Sequence, residues 1–336
     1  MLTTQMFKDF SDYSFEDPDF NADFEISTIS SGKEKYRLNK FVVSTYQSLM
    51  NMDRDWWEDQ DFKVVIVDEV HTASGASIKS IMEKLIHTKI RIGTTGTLQD
   101  AEVHEFVLTG LFGEPKQIIK TADLMETKQV SELNIKCLIC QYSKDTKNLA
   151  RDFEYQDEID FIVSHPRRNK FIANLGLSLP GNTLILCNFV EKQTKVIYEM
   201  ISSKLDPSSK KQVFIITGEI SPEEREKIRN TVEKEGRDCI IVATMATLST
   251  GINIISLHNL ILAHPSKAKI RLLQSIGRIL RRNESKGKTA ATLYDIADDL
   301  RGTKNYNFTM RHFAERLKIY INEHFEYKVK KIQLEE

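Results

Sequence analysis

A chain of 336 residues can hold two domains, each with its own core. With 40% hydrophobic and 28% charged side chains, it reads as a globular protein. It has no apolar run near the ~18 residues of a membrane span, no signal-peptide pattern at its start and only four cysteines. These features argue against a membrane protein or a disulfide scaffold and set the cytoplasm as the expected compartment. The net charge of −1 means that any nucleic-acid contact has to come from a local patch. Charge is in fact uneven: residues 1–25 hold seven acidic side chains against Lys8, and 264–290 hold eight Lys or Arg against Glu284. The second run is a candidate phosphate-binding surface or a solvated basic helix face.

In chain order, residues 2–10 have helix-like spacing at Met6 and Phe10 with no cap before them. Residues 14–36 read as a surface loop with room for a short strand. Phe41-Val42-Val43 is a strand ending in Ser44-Thr45-Tyr46-Gln47-Ser48. Hydroxyls and an amide at a strand end suit a phosphate backbone, or a plain helix cap. The Trp56-Trp57 pair reads as core.

The chain is organised around residues 62–71. Val64-Val65-Ile66-Val67 is expected to be a strand buried on both faces of a parallel sheet, and it ends abruptly in Asp68-Glu69. Ligands of open α/β sheets bind at the carboxyl edge of the strands. There, one carboxylate can hold Mg²⁺ beside nucleotide phosphates while its neighbour orients the attacking water. An acidic, solvated turn is the plain alternative.

A helix follows around Ile78–Ile86, then a strand at Ile90–Ile92 that ends in Gly93-Thr94-Thr95-Gly96-Thr97. Hydroxyls and glycines there fit a hydrogen-bonding switch at the same edge as Asp68. Residues 98–132 are helical and connecting, broken at Gly113-Glu114-Pro115. A strand over 134–142 begins the crossing to a second domain. Its Cys137 and Cys140 have no second pair to make a zinc site. Strands at 182–189, 213–217, 238–244, 260–263 and 291–295 then alternate with helices. One helix start is well formed, with Ser221 as N-cap, Pro222 at N1 and Glu224 at N3. Another helix is expected over 270–281, and an amphipathic one over 308–327. This alternation predicts an α/β protein with two doubly wound parallel sheets.

Taken in order, the strand ends resemble a family. Asp68-Glu69-Val70-His71 resembles the DExH box of superfamily 2 helicases. Thr95-Gly96-Thr97 resembles their motif III, Thr247 to Asn253 motif V, and Gln274 to Arg281 motif VI, QxxGRxxR. Leu2 to Gln5 resembles the tail of motif Ia, and Ser44 to Gln47 motif Ib. Within the superfamily the chain is most similar to the UvsW-type recombination DNA helicases of tailed phages.

The resemblance implies a RecA-like domain over 1–125, a connecting segment over 126–160, a second RecA-like domain over 161–305 and a C-terminal amphipathic helix in 306–336. It implies ATP and Mg²⁺ as cofactors, branched or single-stranded DNA as partner, and the cytoplasm of a phage host as location. Asp68 would hold Mg²⁺ and Glu69 would position the hydrolytic water. His71, Thr95, Gly96, Thr97, Gly251 and Gln274 would couple nucleotide state to the second domain. Arg281, with Arg278, would be the arginine finger, worth about 10³–10⁵ in rate. Thr3, Thr4, Gln5, Thr45, Gln47, Thr247, Thr250, Lys267 and Lys269 would contact nucleic acid. Spacing alone puts Gln274, Gly277, Arg278 and Arg281 on one helix face.

The chain departs from the family in one respect: no Walker A loop, GxxxxGK[ST], occurs in it. Gly287-Lys288-Thr289 has Arg282 where the first glycine belongs, and Ser31-Gly32-Lys33-Glu34 fails at both ends. Without that loop the phosphates lack their backbone cradle, and the first sheet is expected to lack a strand, so that its neighbours expose apolar edges. A truncated chain and a split protein completed by a separate chain carrying the Walker A segment both fit, and either way this chain alone is expected to be inactive. A non-catalytic nucleic-acid-binding subunit and an RNA-directed motor remain open as alternatives.

Overall fold

A computed structural model of the chain describes residues 2–29, 38–70, 76–96, 102–119, 121–206, 211–234, 238–249, 254, 256–265, 269–280, 290–302 and 306–334. They form two compact units, Met1–Lys116 and Gln117–Glu336. The first holds strands β1 (Ile26–Ile29), β2 (Phe41–Ser44), β3 (Val64–Val67) and β4 (Ile90–Gly93). The second holds β5 (Glu132–Gln141), β6 (Asn182–Cys187), β7 (Gln212–Ile216), β8 (Cys239–Thr244), β9 (Leu257–Leu262), β10 (Ala290–Asp299) and β11 (Tyr327–Gln333). No helix among the described residues is long and apolar enough to cross a membrane.

In the second unit all seven strands are parallel, in the order β11-β5-β10-β9-β6-β8-β7. Parallel sheets need cover on both faces, and every residue of β6 and β8 is buried. Side-chain alternation splits the core in two. On one face Cys137, Leu186, Ile241, Leu260 and Leu293 pack against Ile276 of helix Lys269–Ile279 and Phe313 and Tyr320 of helix Phe308–Asn322. On the other, Leu138, Ile185, Val242, Ile261 and Ile296 meet Ile162, Ile172 and Ile197 from helices Tyr155–Ser164, Pro166–Ser178 and Val196–Ser202. Each such aliphatic side chain contributes ~2 kcal/mol by leaving water. The capping box read from sequence is present: Glu224 N donates to Ser221 Oγ, and Ser221 N to Glu224 Oε2.

Buried charge is concentrated on β10. Asp298 accepts from Arg168 Nε (2.7 Å), Arg168 Nη2 (2.9 Å) and Tyr142 Oη (2.7 Å). Three residues back, on the other face, Asp295 accepts from Arg316 Nε and Nη2 and from Tyr320 Oη. One pair pins helix Pro166–Ser178 to the sheet and the other pins helix Phe308–Asn322. Glu158 adds a third tie, its carboxylate accepting from Asn307 Nδ2, Phe308 N, Thr309 N and Thr309 Oγ1. A carboxylate thus fills the anion position at that helix N-terminus.

Residues 126–160 and 306–336 contribute to this same sheet. β5 lies between β11 and β10, and the helix read over 308–327 stops at Asn322. There His324 takes a left-handed φ of 57°, and Phe325 N donates to Tyr320 O. The Lys-rich run that follows is an edge strand, where alternating charge is expected.

In the first unit, β1 pairs in parallel with β2, and β3 with β4. Trp56, Trp57, Ile78, Ile81, Met82 and Leu85 form the core, with Val65 and Val67 packed against it. The expectation that Val64–Val67 is buried on both faces does not hold. Val64 and Ile66 are 46% and 65% exposed, and Ile90 and Ile92, their register partners, 52% and 43%. Among the described residues, helices cover one face of this pair, and the other carries exposed apolar side chains.

Candidate functional site

Val67 lies opposite Gly93 in the β3–β4 register, so both strands leave the sheet at one edge. Thr94 N donates to Val67 O (2.9 Å) and Val70 N to Thr94 O (2.9 Å), locking the turn after β3 to the end of β4. Asp68 sits inside this lock, its Oδ1 accepting from Glu69 N (2.9 Å) and Thr94 Oγ1 (3.0 Å). Glu69 takes a left-handed φ of 50°, a conformation that costs a non-glycine residue ~1–3 kcal/mol and clusters at functional sites. The reversal leaves both carboxylates exposed and returns Val70 to the core. Gly93 permits the closure, because a Cβ there would meet Val70 Cγ2 at 3.0 Å and Phe112 Cγ at 3.2 Å.

This donor set fits a magnesium ion completed by phosphates. Asp68 Oδ1 is held by two donors, and Oδ2 has no protein donor among the described residues. Among those residues no three His, Cys, Asp or Glu come together as a metal cage, and Mg²⁺ beside a nucleotide takes only one or two carboxylates. Thr94, which the motif reading passed over in favour of Thr95, is the residue that holds Asp68. The Thr94-Thr95 doublet marks the place in the sequence, but only the strand register decides which hydroxyl meets the carboxylate. Thr95 is half-buried and Gly96 exposed. His71 and Thr97 lie outside the described residues.

The expected nucleic-acid contacts fall into distinct settings. Thr4 is exposed on helix Leu2–Tyr13, whereas Thr3 is buried. The side chain of Gln5 lies outside the described residues. Thr45 is at the N-cap position of helix Tyr46–Leu49, its hydroxyl 3.0 Å from Ser48 Oγ, and Gln47 is exposed. Thr247 is buried, and its Oγ1 donates to Thr244 O at 2.7 Å. Burial removes Thr3 and Thr247 from the set of surface contacts: both side chains are held inside the fold. Thr250, Gly251, Lys267 and Arg281, and the side chain of Lys269, lie outside the described residues.

Helix Lys269–Ile279 buries Leu272, Ser275, Ile276 and Ile279. At 100° per residue, positions 274, 277 and 278 fall on the opposite face. Gly277 is exposed there, and nothing stands within 4 Å of the place a Cβ would take. The side chains of Gln274 and Arg278 lie outside the described residues.

Residues 1–100 match the family described as type III restriction enzyme, res subunit, and 167–283 match the helicase conserved C-terminal domain. The chain is 33% identical over 348 residues to the ATP-dependent DNA helicase uvsW of Enterobacteria phage T4, covering 99% of this chain and 66% of that protein. It thus spans about two thirds of that relative's length. The crystal structure of T4 UvsW matches with a TM-score of 0.53 at 31% identity, over 99% of this chain and 66% of that one. The RNA- and ADP-BeF3-bound structure of S. cerevisiae Dbp5 matches with a TM-score of 0.58 over 99% of this chain and 75% of that one. At 13% identity, the Dbp5 match speaks for the RecA-like fold alone. With a carboxylate couple at the sheet edge, the two family matches in order along the chain and a matching fold, the chain belongs to the superfamily 2 helicases.

Proposed function

We propose that this chain is the motor core of an ATP-dependent DNA helicase or translocase acting on branched recombination and replication intermediates. The observation that carries the reading is the Asp68 lock, in which one carboxylate oxygen is held by Thr94 and the other is left for a metal. Asp68 binds Mg²⁺ on the nucleotide, and Glu69 orients the water that attacks the γ-phosphorus. Bound Mg²⁺ neutralises charge on the β- and γ-phosphates. His71, Thr95, Gly96, Thr97, Gly251 and Gln274 couple the nucleotide to the second unit, and Arg278 and Arg281 meet the charge of the transferring phosphoryl group. Thr4, Gln5, Thr45, Gln47, Thr250, Lys267 and Lys269 bind sugar–phosphate, which confers grip but little sequence preference. These 336 residues carry no Walker A loop, and a Walker A segment, on the same polypeptide or on a separate chain, would supply the phosphate cradle.

DNA-stimulated ATP hydrolysis, measured with and without a Walker A segment supplied by fusion, tests this. The chain alone should turn over negligibly, and the fusion should hydrolyse ATP. In the fusion, Glu69→Gln and Arg281→Ala should each abolish turnover while ATP and DNA still bind, because both groups act on the transition state. Asp68→Ala should weaken Mg²⁺–nucleotide binding itself. An Arg281→Ala fusion that hydrolyses ATP like its parent refutes the two-domain motor.

A further inference from the structure

At the carboxyl edge of the seven-stranded sheet, next to β10, lies an aromatic group that no core requires. Tyr155 opens helix Tyr155–Ser164 and is 43% exposed; Tyr306 precedes helix Phe308–Asn322 and is 46% exposed. Tyr155 meets Phe308 at 5.8 Å and His312 at 5.5 Å between centroids, both T-shaped. Tyr306 meets Phe308 at 6.4 Å, also T-shaped, and the Arg311 guanidinium lies over the Tyr306 ring, 4.0 Å from its centroid. Phe153, Tyr306 and Phe308 line a recess beside these rings together with the carboxylates of Asp152, Glu154 and Glu158. His312 Nδ1 donates to Pro265 O at 3.0 Å, which ties the group to the segment leading into Lys267 and Lys269.

Large exposed rings normally cost solubility without adding stability, and here they are held rigidly. Glu154 and Asp157 form the capping box beneath Tyr155. Glu158, on the same helix, anchors Asn307, Phe308 and Thr309 through four hydrogen bonds. Because Glu158 already fills the anion position at that helix N-terminus, the site is not built to take a phosphate there. Exposed rings with a stacked guanidinium, on a rigid base, are instead the chemistry that takes a nucleobase by its face.

We propose that Tyr155, Tyr306 and Arg311 form a base-stacking platform for single-stranded DNA. The platform rests on the motor reading above and adds to it a contact that recognises bases as such. Every base has a π face, so the platform grips without sequence preference, as a translocating motor needs.

The test compares two fluorescent oligonucleotides of equal length, oligo-dT and a fully abasic strand with the same phosphates, by anisotropy over a salt series. The parent chain should bind oligo-dT more tightly than the abasic strand. Tyr155→Leu and Tyr306→Leu should each weaken oligo-dT binding about 5- to 150-fold, leave the abasic strand unaffected and keep the salt slope. Tyr155→Phe and Tyr306→Phe should retain binding, and Arg311→Ala, which removes the guanidinium stacked on Tyr306, should weaken oligo-dT binding more than binding of the abasic strand. Leucine variants that bind oligo-dT like the parent overturn the platform and leave the motor reading standing, as do variants that lose both strands equally. A parent chain that binds neither strand overturns both.

Discussion

Replacing Asp298 by alanine should be among the most damaging single changes in the second unit. Arg168 and Asp298 are both fully buried and joined by two hydrogen bonds of 2.7 and 2.9 Å. Burial by itself would lower the Arg168 pKa, and the carboxylate overcomes this and holds it above its ordinary value. Removing Asp298 strands that cation in the core and takes the acceptor from Tyr142 Oη. Leaving one charge of such a pair uncompensated costs about 3–5 kcal/mol. With a urea slope of ~2 kcal/mol/M, the unfolding midpoint should drop by ~2 M. Far-UV circular dichroism reports the transition, and Trp56 and Trp57 report on the first unit alone, because the chain has no other tryptophan. Apolar replacement of the whole group, Arg168→Met with Asp298→Leu and Tyr142→Phe, should recover most of the loss, since no buried charge then lacks a partner. An Asp298→Ala cost under ~1 kcal/mol, or a triple variant no more stable than the single one, would show that the Arg168–Asp298 pair does not hold the core in this way.

His165 is the N-cap of helix Pro166–Ser178, its Nδ1 accepting from Arg168 N, and burial is the main cause holding its pKa below 6.5. The unfolded chain therefore binds protons more readily. The stability from His165 is full above about pH 6.5 and is lost as pH falls from there through its lowered folded-state pKa. A His165→Asn variant, capped but not titrating, should show a flatter Tm between about pH 8 and 5.5; a parent Tm constant over that window refutes this. Gly277→Ala should stabilise the second unit by ~1 kcal/mol in urea, since nothing stands where its Cβ would go; a destabilised variant would mean the helix face is packed. The four cysteines are buried, and burial pushes the Cys137 and Cys140 thiols far up and Cys187 to about 12. Iodoacetamide at about pH 8 should modify none of them in the native chain and all of them in urea.

Much of this protein could be read along the chain, because helices, strands and caps are written in short-range patterns. The β-branched runs of β6 and β8, the Ser221 cap and the apolar spacing of helix Lys269–Ile279 each depend on residues within two turns of one another. The motifs at the strand ends were legible for the same reason: Asp68-Glu69 follows its strand directly, and positions 274, 277 and 278 share a face by helical geometry alone. Pairings between distant segments could not be read in this way. Only the tertiary structure puts Thr94 Oγ1, 26 residues away, on Asp68, joins Arg168 to Asp298 across 130 residues, and seats β11 on β5 as a sheet edge. It also decides that Val64 and Ile66 face solvent, since the same apolar run would be buried on both faces in a fully covered sheet. A sequence states what each side chain prefers beside it; which distant partner meets that preference depends on how the strands are ordered, and that order arises only when the whole sheet closes.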